Sequence, residues 1–170
     1  MTNQQTILIA GATGNVGGGA AASLAKRGAN VVLLGRNSET LDARAASIRA
    51  GLPGEIIKHQ DPKIETLPID FADLENVRRA AGEALNRFPT INGLILSAVA
   101  LIQNGPHILP NGHEVMFATN VMGPFLFTQL LIERLGQSES LVLHVVAPFY
   151  HDVDWNDLES IQNHDTETAY

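Results

Sequence analysis

The sequence predicts an α/β protein built on a doubly wound parallel sheet of five strands. Three observations carry that prediction. Apolar runs alternate with helix-patterned stretches five times along the chain. Those runs are uniformly apolar rather than alternating in polarity, as expected of strands covered on both faces by helices. The first run ends in glycines that lead directly into a helical stretch. Right-handed crossovers then give the spatial strand order 3-2-1-4-5, with a ligand crevice at the switch point between strands 1 and 4.

Each element follows from local sequence. Thr6 to Ala10 is a short apolar run and reads as strand 1. Asn15 to Arg27 is alanine-rich and closed by Gly28, hence a helix. Asn30 to Gly35 is β-branched and apolar, hence strand 2. Ser38 to Ala50 opens with a capping serine and is stopped by Gly51 and Pro53, giving a second helix. Gly54 to Lys63 is expected to be a polar loop, and Ile64 to Ile69 strand 3. Asp73 caps a helix to about Arg87, which ends before Pro89. Gly93 to Ser97 is strand 4. Gly112 to Leu135 predicts one long helix kinked at Pro124. Leu141 to Ala147 is strand 5, and 148–170 is polar and acidic with weak periodicity. No linker, repeat or low-complexity tract interrupts this order, so residues 1–170 are expected to form one domain.

Composition narrows the function classes. The chain carries 18 acidic and 11 basic residues, a net charge of -7. That opposes nucleic acid and anionic membranes as partners, since both reward clustered Lys and Arg. With no cysteine, disulfides and thiolate metal sites are excluded, which suits a cytoplasmic setting. The polar start Met1 to Gln5 and the short run Ile7 to Ala10 lack the pattern of a signal peptide. The apolar window 116–135 contains Asn120, Pro124, Gln129, Glu133 and Arg134, so it reads as a buried helix rather than a membrane span. The six histidines show no metal spacing. Asp152, Asp154 and Asn156 imitate a calcium loop only at its start, so no metal is expected. Trp155 is expected to anchor packing.

The stretch Gly11, Ala12, Thr13, Gly14, Asn15, Val16, Gly17 carries the chemistry. A sharp strand-to-helix turn of small residues lets backbone N–H groups approach a diphosphate where the helix dipole favours anions. Gly17 lets the helix pack closely on the sheet. Strand before, helix after and a second strand from Val31 make this a nucleotide-binding loop. Strand 2 ends at Gly35-Arg36-Asn37, without the Asp or Glu that would accept from the ribose 2′-OH of NAD. Arg36 can instead pair with a 2′-phosphate through its planar fork, so NADP is expected over NAD.

These residues resemble the short-chain dehydrogenase/reductase family, in particular its retinol dehydrogenase-like and WW-domain oxidoreductase-like branch. The resemblance extends over the whole chain. Gly11 to Gly17 resembles the family's glycine loop, with the middle glycine at Gly14 and Asn15 in its usual place. Leu34-Gly35-Arg36-Asn37 resembles the branch's NADP-type turn. Asp70-Phe71 matches the pair that contacts adenine. The most specific match is Gly112-His113-Glu114 through Phe117-Ala118-Thr119-Asn120-Val121-Met122-Gly123-Pro124-Phe125-Leu126. By similarity Asn120 anchors a water in the proton relay, and Tyr170 stands where the branch has its catalytic tyrosine. The resemblance implies a Rossmann-like fold and an NADP-dependent oxidoreductase of alcohols or ketones, with nicotinamide dinucleotide and a small molecule as partners. Any oligomer is expected to use the helix at 112–135.

Three departures fall on functional positions. The Asn-Ala-Gly after strand 4 stands here as Ser97-Ala98-Val99, which leaves Ser97 and Ala98 beside the cofactor but adds bulk at Val99. The Ser-Ser after strand 5 stands as Val146-Ala147, and Ala147 has no hydroxyl to hold a substrate oxygen. Tyr170 is the last residue, so the lysine of Tyr-x-x-x-Lys has no counterpart, and the C-terminal part of the family fold is expected to be missing. An unassisted phenol has a pKa near ~10, so these changes imply impaired catalysis. The alternative reading is a non-catalytic NADP-binding module or redox sensor, or a remnant or half of a split enzyme.

Overall fold

The computed structural model of the chain describes residues 4–146 and 153–162. Five parallel strands form one sheet in the order β3-β2-β1-β4-β5: β1 (Thr6–Ala10), β2 (Asn30–Gly35), β3 (Ile64–Pro68), β4 (Gly93–Leu96) and β5 (Leu141–His144). The register places Leu8 between Val32 and Leu94, and Ala10 between Leu34 and Leu96. Ile7 to Ala10 and Val31 to Leu34 are all buried, because a central parallel strand is covered on both sides.

Alternation along the strands divides the core into two layers. Ile7, Ile9, Val31 and Leu33 pack with Ala21 and Ala25 of α1 (Asn15–Lys26) and Leu41 and Ile48 of α2 (Ser38–Ala50). Leu8, Ala10, Val32 and Leu34 point the other way, against Val77, Ala80 and Ala84 of α4 (Leu74–Arg87) and Phe127, Leu131 and Leu135 of α6 (Gly123–Gln137). Each fully buried Leu, Ile or Phe contributes about 1.5–3 kcal/mol. Polar contacts tie the far ends: Arg134 donates to the carbonyls of Leu85 and Phe88, and Arg87 pairs with Glu65 on β3 and Glu83 on α4. Burial lowers the Arg87 pKa, but the bonds to Glu65 and Glu83 outweigh it and leave the guanidinium raised.

Three expectations are corrected. Residues Gly54–His59 form a short helix, α3, rather than a loop. Pro53, at φ -61°, accepts from the N–H of Ile56 and Ile57, and Glu55 pairs with His59 one turn on; this helix buries nothing and rests on local bonds. The long helix is not a single run from Gly112. It begins at α5 (Val115–Phe117), widens into a π-helical turn at Ala118–Met122, and resumes as α6. Pro124 sits in the first turn of α6, where its lack of an N–H does no harm, and the wide turn absorbs the mismatch ahead of it. Glu114, 1% exposed, caps α5 by accepting from the N–H of Met116 and Phe117. Strand β5 ends at His144 rather than continuing to Ala147, although Val145 still donates to Leu96; Ala147 lies outside the described residues.

Strand β5 is an edge with β4 as its neighbour, and Leu141 is 70% exposed. The helical run 115–137 is long and apolar enough to cross a membrane. Its Met116, Ala118, Phe127, Leu131 and Leu135 are nevertheless buried in the protein.

Candidate functional site

The C-terminal ends of β1, β2 and β4 open onto a cleft of about 220 Å³, lined by Gly11, Thr13, Gly14, Gly35, Arg36, Ile69, Asp70, Phe71, Ser97 to Ala100 and Thr119. It lies where strand order reverses between β1 and β4, the position at which open α/β sheets take their ligands.

One wall is the glycine loop. Gly11 has φ +74°, and a Cβ there would lie 2.7 Å from the backbone of Ser97 and Ala98. Both its conformation and its closeness to β4 therefore demand glycine. Gly11 and Ala12 donate to the Leu34 carbonyl, and Gly14 donates to that of Gly11. The N–H groups of Asn15, Val16 and Gly17, in the first turn of α1, have no protein acceptor among the described residues. No side chain caps this end, and no acidic residue stands in its first turn. Free donors and a positive dipole end without protein compensation form a place for an anion. Gly17 is buried: a Cβ there would lie 2.6 Å from both the Gly11 oxygen and Ser97 Oγ. Ser97 Oγ in turn donates to the Ala10 carbonyl at 2.6 Å.

The second wall carries charge and shape. Arg36 is exposed at the end of β2 and has no ion-pair partner among the described residues. Asp70 accepts from the N–H of Ala72 while its own N–H donates to Asn76. Phe71 is 4% exposed, and its ring meets Phe127 edge-on at 6.0 Å. Gly123 allows α6 to approach the Phe71 carbonyl, where any Cβ would collide.

The third wall is the segment after β4. Val99, 55% exposed, lines the cleft. Its neighbour Ala100 is held from the π-helical turn: Asn120 Oδ1 accepts from the Ala100 N–H at 2.7 Å, and Asn120 Nδ2 donates to the Ala100 carbonyl at 2.9 Å. The Asn120 amide thus fixes this wall rather than lining the cleft, which it leaves to Thr119.

Of the residues singled out from sequence, the fold brings Gly11, Thr13, Gly14, Arg36, Asp70, Phe71, Ser97 and Ala98 around one cleft. Asn15, Val16 and Gly17 stand just behind it at the start of α1. Tyr170 lies outside the described residues. Trp155 is 80% exposed and anchors no packing. Its segment is held by polar bonds instead: Asp157 accepts from the N–H of Ile161 and Gln162, and Glu159 bonds His113 Nδ1 at 2.9 Å and the Glu114 N–H at 2.7 Å. Ile69, Ala100 and Thr119 were not anticipated. For Ile69 a signal existed, because it closes strand 3 as expected from sequence, at the ligand-bearing end of the sheet. Arg44 was also missed; it reaches from α2 to donate to the Thr13 carbonyl at 2.9 Å.

Comparison with known proteins agrees with this architecture. The family model described as short chain dehydrogenase matches residues 5–147. Mouse retinol dehydrogenase 13 is 30% identical over 171 residues, a match covering 98% of this chain and 48% of that protein. The chain therefore spans about half the length of this curated relative. The crystal structure of a short chain dehydrogenase from Salmonella enterica serovar Typhi superposes with a TM-score of 0.70 at 24% identity, covering 99% of this chain and 64% of that one. A short-chain dehydrogenase from Sphingobium yanoikuyae in complex with NADPH superposes with a TM-score of 0.67 at 23% identity, covering 85% and 54%. With its glycine loop, its 3-2-1-4-5 parallel sheet and a family match over most of its length, the chain belongs to the short chain dehydrogenase family.

Proposed function

We propose that this chain binds NADP(H) in the cleft and serves an oxidoreductase acting on an alcohol or ketone. One observation carries the cofactor reading: the unpartnered N–H groups at the start of α1 directly follow Thr13 and Gly14, which line the cleft together with Arg36, a cation without a carboxylate partner among the described residues. The loop donors suit a diphosphate and the guanidinium suits a 2′-phosphate. Ile69, Asp70 and Phe71 form the wall for the adenine end, and Ala98 to Ala100 continue the cleft away from it. The NADPH held by the Sphingobium structure supports the choice of dinucleotide.

When bound, the dinucleotide supplies or accepts a hydride. The chain's own residues hold it and shape the space beside it. Asn120 keeps the Val99–Ala100 wall in place through the Ala100 peptide. Tyr170, by family resemblance, offers its phenolic proton to the substrate oxygen. Val146-Ala147, standing where the family has two serines, favours a second reading in which the chain binds the nucleotide without turnover. The absence of cysteine supports a cytoplasmic setting.

Titration of the protein with NADP+ and NAD+ tests the cofactor reading. We expect tighter binding of NADP+, and an Arg36→Ala variant whose NADP+ affinity falls about tenfold or more, the size of a charge-assisted hydrogen bond, with NAD+ unchanged. Equal affinity for both nucleotides in the unmodified protein refutes the assignment of Arg36. NADPH oxidation with aldehyde or ketone panels separates the catalytic reading from the binding-only reading.

A further inference from the structure

Arg44 lies where electrostatics alone disfavours a cation. It stands on α2, half-buried, and its Nη2 donates to the Thr13 carbonyl at 2.9 Å. A Cβ on Gly18, in the first turns of α1, would lie 3.1 Å from the guanidinium carbon and 3.3 Å from Nε. The guanidinium therefore rests on the bare start of α1, whose dipole end is itself positive. No carboxylate lies within ion-pairing range of it among the described residues. A chain with 18 acidic residues against 11 basic ones has left this cation unneutralised beside a set of free N–H donors. Arg44 does not line the cleft; Thr13, which it holds, does.

We infer that Arg44 is a positioning residue for the glycine loop: it straps Thr13 in place and adds positive potential at α1, serving NADP+ and NAD+ alike. The inference rests on the cleft being a dinucleotide site. It separates two arginines that sequence cannot separate. Arg36, at the end of β2, discriminates the 2′-phosphate. Arg44 acts through the loop on the diphosphate that both nucleotides share. A Cβ on Gly18 would lie 2.9 Å from the Ala12 carbonyl oxygen as well as against the strap, so the backbone already requires the bare position over which the guanidinium lies.

The test uses Arg44→Met, which keeps an unbranched side chain without charge, and Arg44→Lys, which keeps charge without the planar fork. Calorimetric titrations with NADP+ and NAD+ are run beside amide hydrogen exchange of the ligand-free protein. For Arg44→Met we expect both affinities to fall by the same factor, about tenfold. The amides of Gly14 and Gly18, which are hydrogen-bonded to the Gly11 and Gly14 carbonyls, should exchange several-fold faster, with Tm nearly unchanged. Arg44→Lys should recover part of the affinity but not the protection of the loop. Loss confined to NADP+ overturns the inference by making Arg44 a reader of the 2′-phosphate, and unchanged loop exchange overturns the strap. If the unmodified protein binds neither nucleotide, the cleft reading and the affinity half of the inference fall together, while the exchange data still decide the strap.

Discussion

Replacing Gly17 by alanine asks the cleft to accept one methyl group where there is no space for it. The new Cβ would stand 2.6 Å from the Gly11 oxygen, 2.8 Å from the Gly11 carbonyl carbon and 2.6 Å from Ser97 Oγ. Favourable heavy-atom contacts lie at about 3.5–4.0 Å, so neighbours must retreat by about 1 Å. Ser97 can rotate away only by losing its bond to the Ala10 carbonyl, at a cost of about 1 kcal/mol. The Gly11 carbonyl cannot rotate independently, because it also accepts from Gly14 at 3.0 Å. Overpacking of this kind costs about 1–3 kcal/mol, while Gly→Ala inside a helix returns about 1 kcal/mol. The net expectation is a loss of about 1–3 kcal/mol, or a Tm lower by about 3–10 °C for a chain of this size. Displacement of the loop should also weaken NADP+ binding by at least about tenfold. Gly19→Ala is the internal control. It lies two residues on in the same helix, with nothing within 4 Å of its Cβ position, so it should raise Tm by about 2–3 °C through propensity alone. Differential scanning calorimetry of both variants, with nucleotide titration, measures this. If Gly17→Ala melts at or above the unmodified protein and binds normally, the close packing of loop, Ser97 and α1 is wrong.

Two further predictions concern the third wall and the segment beside it. Asn120→Ala removes both bonds to the Ala100 peptide and should cost about 1–3 kcal/mol; a thermal melt indistinguishable from the unmodified protein would show that the amide does not hold the wall. Glu159→Ala strips acceptors from His113 Nδ1 and the Glu114 N–H, so limited proteolysis should cut within 153–162 several-fold faster, and an unchanged cleavage rate would show that the segment is held by something else.

Much of the architecture was legible because its causes are local or periodic. The uniformly apolar runs of the central strands, Ile7 to Ala10 and Val31 to Leu34, are buried on both faces as in a parallel sheet, and crossover handedness then orders the strands. The cap of α4 was readable, Asp73 accepting from the N–H of Glu75 and Asn76, whereas that of α2 lies one residue before the expected Ser38, at Asn37, which accepts from the Thr40 N–H. The glycine loop was legible because a strand-to-helix turn with free donors needs small residues at those positions. The misread stretches had weaker local causes. Helix α3 buries no side chain, so no apolar periodicity announced it. The π-helical turn reflects Pro124 together with the close approach of Gly123 to Phe71, and that approach is a contact between residues distant in sequence.

By itself the sequence determined the layer arrangement, the location of the crevice and the residues of the loop, because strand burial, helix dipoles and glycine conformations act within a few residues. Only the tertiary structure decided what Asn120 grips, that Arg44 rather than a nearby residue reaches Thr13, that Glu159 docks on His113, and that Trp155 stays in solvent. Each of these depends on where a side chain from one element ends relative to another, and residue type and spacing do not contain that distance.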